Sequence, residues 1–328
     1  MTEVMWIEDG VIKPRELTDV PALLAESGGF MWVDMPEVDE PAAELLADVF
    51  QLHPLAIEDC RKRSHVPKLH AYPGYLFMIL HAPEQGESGH VHLLELDVVV
   101  GPNFFISVHG PLGHGVPLEA ALTETRAIRQ KIEQGRLRPT STAELSYALG
   151  SAIARRQETF VSNIASKIAS LERRIVAEDG GDPEDLLEDM FRVRHELLTV
   201  RTMSSQSSEI YGRITTLVKF LPTESHEYVH DLHDQFHRVA SICEGEKEFL
   251  QGVLDYYQSR VTTKINVAME RLALIAAVAL PVSAVAGIYG MNIIVPEATD
   301  PLHILGVLFF MLLITVGMLR YARRQGWW

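Results

Sequence analysis

LALIAAVALPVSAVAGIYGM, residues 272–291, is a run of twenty residues without a charge, and its reading decides what the rest of the chain must be. A helix needs about 20 apolar residues to cross the hydrocarbon core of a bilayer. A second run, LHILGVLFFMLLITVGML at 302–319, is interrupted only by His303. Buried core helices give similar runs. Two in tandem, at the end of a chain whose first 260 residues carry charges throughout, are hard to bury in a soluble core. They are expected to be membrane spans joined by the short segment 292–301.

The flanking charges give an orientation. Lys264 and Arg271 precede the first run, Arg320, Arg323 and Arg324 follow the second, and the joining segment holds Glu297 and Asp300 but no Lys or Arg. By the positive-inside rule both termini are expected in the cytoplasm, with Trp327 and Trp328 as interfacial anchors. The N-terminus, MTEVMWIEDG, is acidic and lacks the basic start of a secretory signal. The expected location is the plasma membrane, a bacterial inner membrane, crossed twice. Cys60 and Cys243 are the only cysteines and are expected as reduced thiols.

The net charge is −15, and residues 1–100 hold 18 acidic against 6 basic side chains, leaving −12 there. Nucleic acid is a poor partner for such a surface, whereas a negative field concentrates cations. FMWVD (30–34), YLFMILHA (75–82), LLELDVVV (93–100) and FFISVH (104–109) read as strands, with GPN (101–103) as a turn and 41–52 as a helix. The fold expected is α+β: a cytoplasmic mixed α/β domain at 1–116, a helical region at 117–222, a stalk helix at 223–271, spans at 272–291 and 302–319, and a tail at 320–328. Asp182-Pro183 starts a helix inside the second of these regions. The stalk and first span form one helix of about 100 Å, with a kink expected near Pro281.

Two spans cannot enclose an aqueous path, so conduction requires a ring of subunits. Asn266, Met269, Leu272, Ala276, Leu280, Ser283 and Gly287 recur at spacings of three and four, forming one seam on the first long helix. In a symmetric ring each becomes a girdle of identical side chains, and apolar girdles can gate by dewetting. The seam equally fits simple helix packing, which also favours small residues.

Residues 286–292, AGIYGMN, follow Leu280-Pro281 and place Gly-Met-Asn directly after the first span. Here the sequence resembles the CorA family. HPLAIEDC (53–60), VPKLHAYPGYLFMIL (66–80), LDVVVGPNFFISVH (96–109) and RRQGWW (323–328) look like family blocks in the family order, so the resemblance covers nearly the whole chain. It implies a homopentameric funnel in lipid that conducts Mg2+, with Co2+ and Ni2+ as further cargo. It places Gly290, Met291 and Asn292 at the pore mouth and Met269 and Leu272 at a hydrophobic gate. Asn266 takes a polar position below the gate and Asp255 an acidic ring nearer the cytoplasm. Asp59 and Asp231 fall near carboxylates that bind regulatory Mg2+ between subunits. Leu280 stands where a methionine is common, Ala273 where a threonine is, and Glu270 where a lysine is.

Mg2+ holds its waters tightly and prefers octahedral oxygen, and a ring of Asn292 carbonyls could accept hydrogen bonds from that shell. A ZntB-like Zn2+ transporter of the same superfamily is the main rival, disfavoured by Met291. A membrane-tethered sensor that conducts nothing is a third reading. His226, His230, His233 and His237, with Asp234, form a stripe suited to a transition metal or to flanking a helix seam. No nucleophile elbow, Walker A sequence or HExxH motif is present, so no enzyme is expected.

Overall fold

The computed structural model describes residues 2–86, 90–113, 115–177, 183–217, 225–290 and 301–324. Strands β1 (Glu3–Glu8), β2 (Val11–Arg15), β3 (Phe30–Met35), β4 (Lys68–Tyr72), β5 (Tyr75–Gln85), β6 (Val91–Val100) and β7 (Phe104–His109) form one sheet in the order β2-β1-β3-β7-β6-β5-β4. Only β3 and β7 run parallel; every other neighbouring pair is antiparallel. The four strands read from the sequence are β3, β5, β6 and β7. β1, β2 and β4 were not anticipated.

The two hairpins among the missed strands rest on turn chemistry. Asp9 and Gly10 both have positive φ (54° and 71°) and close β1 onto β2 as a two-residue loop, the arrangement an Asp-Gly pair favours. Pro73-Gly74, with Gly74 at φ 92°, joins β4 to β5. Proline at the first turn centre and glycine at the second suit a type II turn. The 41–52 helix is replaced by α2 (Glu40–Glu44), capped by Asp39 onto the Ala42 amide, and a π-helical turn over Leu45–Val49. Gln51, at φ 52°, then turns the chain away.

Helices α1 (Val20–Leu23) and α3 (Pro54–Arg61) lie with α2 on one face of the sheet, where Leu46, Phe50 and Ala56 meet Trp6, Val33, Phe77 and Ile106. The next residues along each strand point to the opposite face, as strand geometry requires. There Met78, Leu96, Val98 and Phe105 meet α5 (Thr123–Glu133), α6 (Thr142–Val176), α7 (Pro183–Leu217) and the start of α8 (Ser225–Gly290). The short α4 (Leu118–Ala121) precedes α5. Ser141 caps α6 by accepting from the Glu144 amide, and Gln157 of α6 donates to the His81 carbonyl while accepting from Ser204 of α7.

The chain divides into two compact units, Met1–Gln251 and Gly252–Trp328. The first contains the sheet and its two helical layers. The second contains the remainder of α8 and α9 (Pro301–Arg324). Helix α8 is continuous over 66 residues and passes through Pro281.

In the first unit Phe236 is fully buried and its ring stacks on Tyr211 at 5.6 Å between centroids. Phe236→Ala should cost about 3–5 kcal/mol of stability through lost transfer energy and the cavity left behind. Phe249→Ala, at an exposed position of the same helix, should cost much less. Urea unfolding followed by circular dichroism checks this; equal losses would contradict the packing described.

Candidate functional site

None of either apolar window, in the second half of α8 or in α9, is buried in a single chain. Leu302, Leu305, Phe309 and Leu312 of α9 are all exposed, Leu302 to 80%. A core helix of a soluble protein would be covered. These helices are solvated by something apolar, and the lengths fit a bilayer.

Within the second unit the two helices have a common contact side. Val285, Ile288 and Tyr289 of α8 share a groove with Leu302, Gly306, Val307 and Phe310 of α9. The half-buried positions of this part of α8 include Leu274, Ala277, Val278, Pro281, Val282 and Val285. On α9 they are Val307, Met311, Ile314 and Thr315, followed by Ala322, which is only 3% exposed. At 3.6 residues per turn, the seam Asn266–Met269–Leu272–Ala276–Leu280–Ser283–Gly287 lies roughly 150° around the helix from that contact side. Each of its seven members is exposed, Met269 to 63% and Leu280 to 69%. Packing against α9 therefore does not account for the seam. Asp255 is exposed, three turns earlier on the same side of the helix. Gly290 ends α8; Met291 and Asn292 lie outside the described residues.

The two candidate regulatory carboxylates are not neighbours within one chain. Asp59 sits on α3, on one face of the sheet, and holds Lys68 at 2.6 Å. Asp231 sits on α8, on the other, and accepts from the Tyr147 hydroxyl at 2.7 Å and from Gln235 at 2.5 Å. The rings of His230, His233 and His237 stack at 6.4 and 6.1 Å, with Asp234 3.7 Å from His230. His233 is engaged by the hydroxyl and carbonyl of Ser208, and His226 is exposed. Among the described residues no group of three or more His, Cys, Asp or Glu is arranged to hold a metal ion.

The sequence model of the family described as "CorA-like Mg2+ transporter protein" matches residues 27–324. The chain belongs to that family. YfjQ of Bacillus subtilis is 26% identical over 302 residues, covering 90% of this chain and 89% of its own. The cobalt/magnesium transport protein CorA of Thermotoga maritima is 23% identical, covering 99% and 92%. The complete structure of the CorA magnesium transporter from Methanocaldococcus jannaschii superposes with a TM-score of 0.82 at 17% identity, covering 100% of this chain and 99% of that one. The protein is thus a CorA-family divalent-cation transporter of the membrane, in a family of ion transporters and not of enzymes.

One group of residues in this CorA-type fold escaped the sequence reading. Glu95 and Asp97 alternate on β6 toward the α3 face, both buried, with His81 directly across from Glu95 on β5 and Cys60 of α3 above Asp97. The Ser64 amide donates to Glu95 at 2.5 Å, and the Ser64 carbonyl contacts His81 Nε2 at 2.8 Å. Burial pushes Glu95 up to about 7, against the opposing pull of the Ser64 amide and of Arg63 and Lys68. Asp97 is raised well above the usual carboxylate range by burial and by Glu95. Burial lowers His81 to about 4 and raises the Cys60 thiol. Strand alternation could have placed the two acids on the inner face, but their charge argued against burial.

These shifts set opposing pH slopes. Glu95 holds its proton to about pH 7 in the folded chain, against 4.5 unfolded, so its contribution to stability falls as pH rises through that window. His81 takes up a proton only near pH 4 when folded, against 6.5 unfolded, so its contribution rises with pH. Glu95→Gln removes the share of the falling slope that Glu95 contributes and leaves that of Asp97. Its melting temperature should climb more steeply than that of the wild type between pH 4.5 and 6.5. Parallel profiles for the two proteins would refute the assigned protonation of Glu95.

Proposed function

We propose that the protein is a homopentameric channel for Mg2+, with Co2+ and Ni2+ as further cargo, whose pore is lined by the Asn266–Gly287 seam of α8. The observation that carries this reading is the position of the seam. It lies away from α9, and copies of α8 arranged about an axis would give it a partner. The family match and the name of the Thermotoga relative support the ion.

The lining then reads outward as polar Asn266, apolar Met269 to Leu280, and polar Ser283. It has no ionisable side chain along that length. Such a path suits an ion that keeps its water shell, which Mg2+ does. At the outer mouth Asn292 carbonyls accept hydrogen bonds from those waters, with Gly290 and Met291 next to them in sequence. Asn292→Ala should abolish Mg2+ uptake into proteoliposomes carrying an entrapped Mg2+ dye. Uptake at the wild-type rate would rule out that role. A parallel Zn2+ dye tests the zinc-transporter reading, and silence of both dyes with wild-type protein would favour a non-conducting sensor.

Gating by cytosolic Mg2+ follows from the carboxylates. Because Asp59 and Asp231 lie on opposite faces of one sheet, a Mg2+ between them bridges neighbouring copies, not one chain. Occupied bridges hold the ring closed, and their loss loosens the subunits and frees α8. Asp231→Ala channels should remain conducting at internal Mg2+ concentrations that close the wild type. Closure at the same concentration would remove Asp231 from the mechanism.

A further inference from the structure

An open cleft of about 760 Å3 lies in the first unit, between α5, the connection from α5 to α6, α6 itself and the start of α8. That volume is within the roughly 300–1,000 Å3 usual for small-molecule sites. Its charge runs against the rest of the protein. In a chain with 44 acidic and 29 basic residues, it is lined by Lys131, Arg136, Arg138, Arg155 and Arg156 against only Glu124 and Glu144.

Both acids are already committed. Glu124 is gripped through both oxygens by Arg156. Glu144 accepts from the Thr140 amide and hydroxyl and, at 3.3 Å, from Tyr228. Arg156 is further held by Glu84. Lys131, Arg136, Arg138 and Arg155 are exposed, and among the described residues they form no ion pair, unlike Arg129 on the far side of α5, which holds Glu3 and Glu133. Four exposed cations outnumber Glu144, which among the described residues is the one lining carboxylate no cation pairs, so repulsion prevails among them and an anion of several charges relieves it. Arginine forks match phosphate oxygens in particular.

One end of the cleft is aromatic. The rings of Tyr147 and Tyr228 lie 5.0 Å apart between centroids, tilted by 34°. Their hydroxyls are tethered to Asp231 and Glu144, which fixes the rings in place. A flat apolar surface beside a cationic one suits a ligand with a planar base and a phosphate chain. We propose that the cleft binds a nucleoside polyphosphate, with its phosphates on Lys131, Arg136, Arg138 and Arg155 and its base against the tyrosine pair. No Walker-type loop is required, since side-chain cations supply the contacts. Such a site would sense a cytosolic anion beside Asp231, without hydrolysis.

The test is isothermal titration calorimetry of the full-length protein in detergent, with ATP, inorganic tripolyphosphate and adenosine as probes, in EDTA to remove divalent ions. ATP should bind saturably and more weakly as salt is raised. The Arg136→Glu/Arg138→Glu double variant should weaken ATP about tenfold or more. Tyr228→Ala should weaken ATP but not tripolyphosphate. Absence of saturable ATP binding, including the case in which a neighbouring copy fills the cleft, overturns the proposal, as does unchanged affinity in the double variant. Should that variant not fold, Lys131→Glu, a single exposed change on α5, carries the same test, and unchanged ATP affinity there is equally decisive. Ion flux is not read, so a negative result leaves the Mg2+ reading where it stood.

Discussion

Largely apolar, uncharged surface on every side of α8 from Leu272 onward and of α9 up to Leu319 constrains everything else about this protein. Leucine, isoleucine and phenylalanine side chains exposed at this density cannot be left in water, because each buried side chain of that size is worth roughly 1.5–3 kcal/mol. The first unit offers no remedy, since its own sheet already has two hydrophobic faces covered by helices. Backbone groups in hydrocarbon must be satisfied internally. Both segments are accordingly unbroken helices, and α8 stays helical even through Pro281.

Helix α8 therefore serves two solvents with one backbone. Near its start Val229, Leu232 and Phe236 complete the helical layer over the sheet, on a stripe spaced at three and four residues. Sixty-six residues without a break then carry the chain into the segment bearing the seam. Asp231 lies inside the first part and shares its neighbours' packing, so its environment is set by the folded first unit.

The parts of this arrangement legible in the sequence were those written in one stretch of chain. The apolar runs, the seam period, and strands β3, β5, β6 and β7, rich in branched and aromatic residues, all announce themselves locally. β2, VIKPR, is an edge strand that is half or fully exposed and contains a proline, so it carries little strand signal. β4, KLHAY, is short and polar. The Asp9-Gly10 pair was a turn signal that could have revealed the first hairpin. The site was less legible than the fold because its partners are distant in sequence. Tyr147 reaches Asp231 across 84 residues and Ser64 reaches Glu95 across 31. The charge of Glu95 and Asp97 by itself points to the surface. Only the register with His81 and the cover of α3 reveal that they are held inside.

The distribution of charge along α8 gives the proposed pore its physical logic. An ion entering a narrow apolar path pays to leave water, and fixed carboxylates along that path would offset the cost at the expense of release. The seam has none between Asn266 and Gly287. The acids are concentrated instead in the first hundred residues, where they raise the local cation concentration without adding a deep well to the proposed conduction path. A cation held by its own waters meets only amide, hydroxyl and apolar girdles, so its passage depends on whether the apolar stretch from Met269 to Leu280 is wide enough to stay wet. In the proposed ring the width of that stretch would be set by how copies of α8 lean against one another, so a shift in that lean would decide whether the path stays wet.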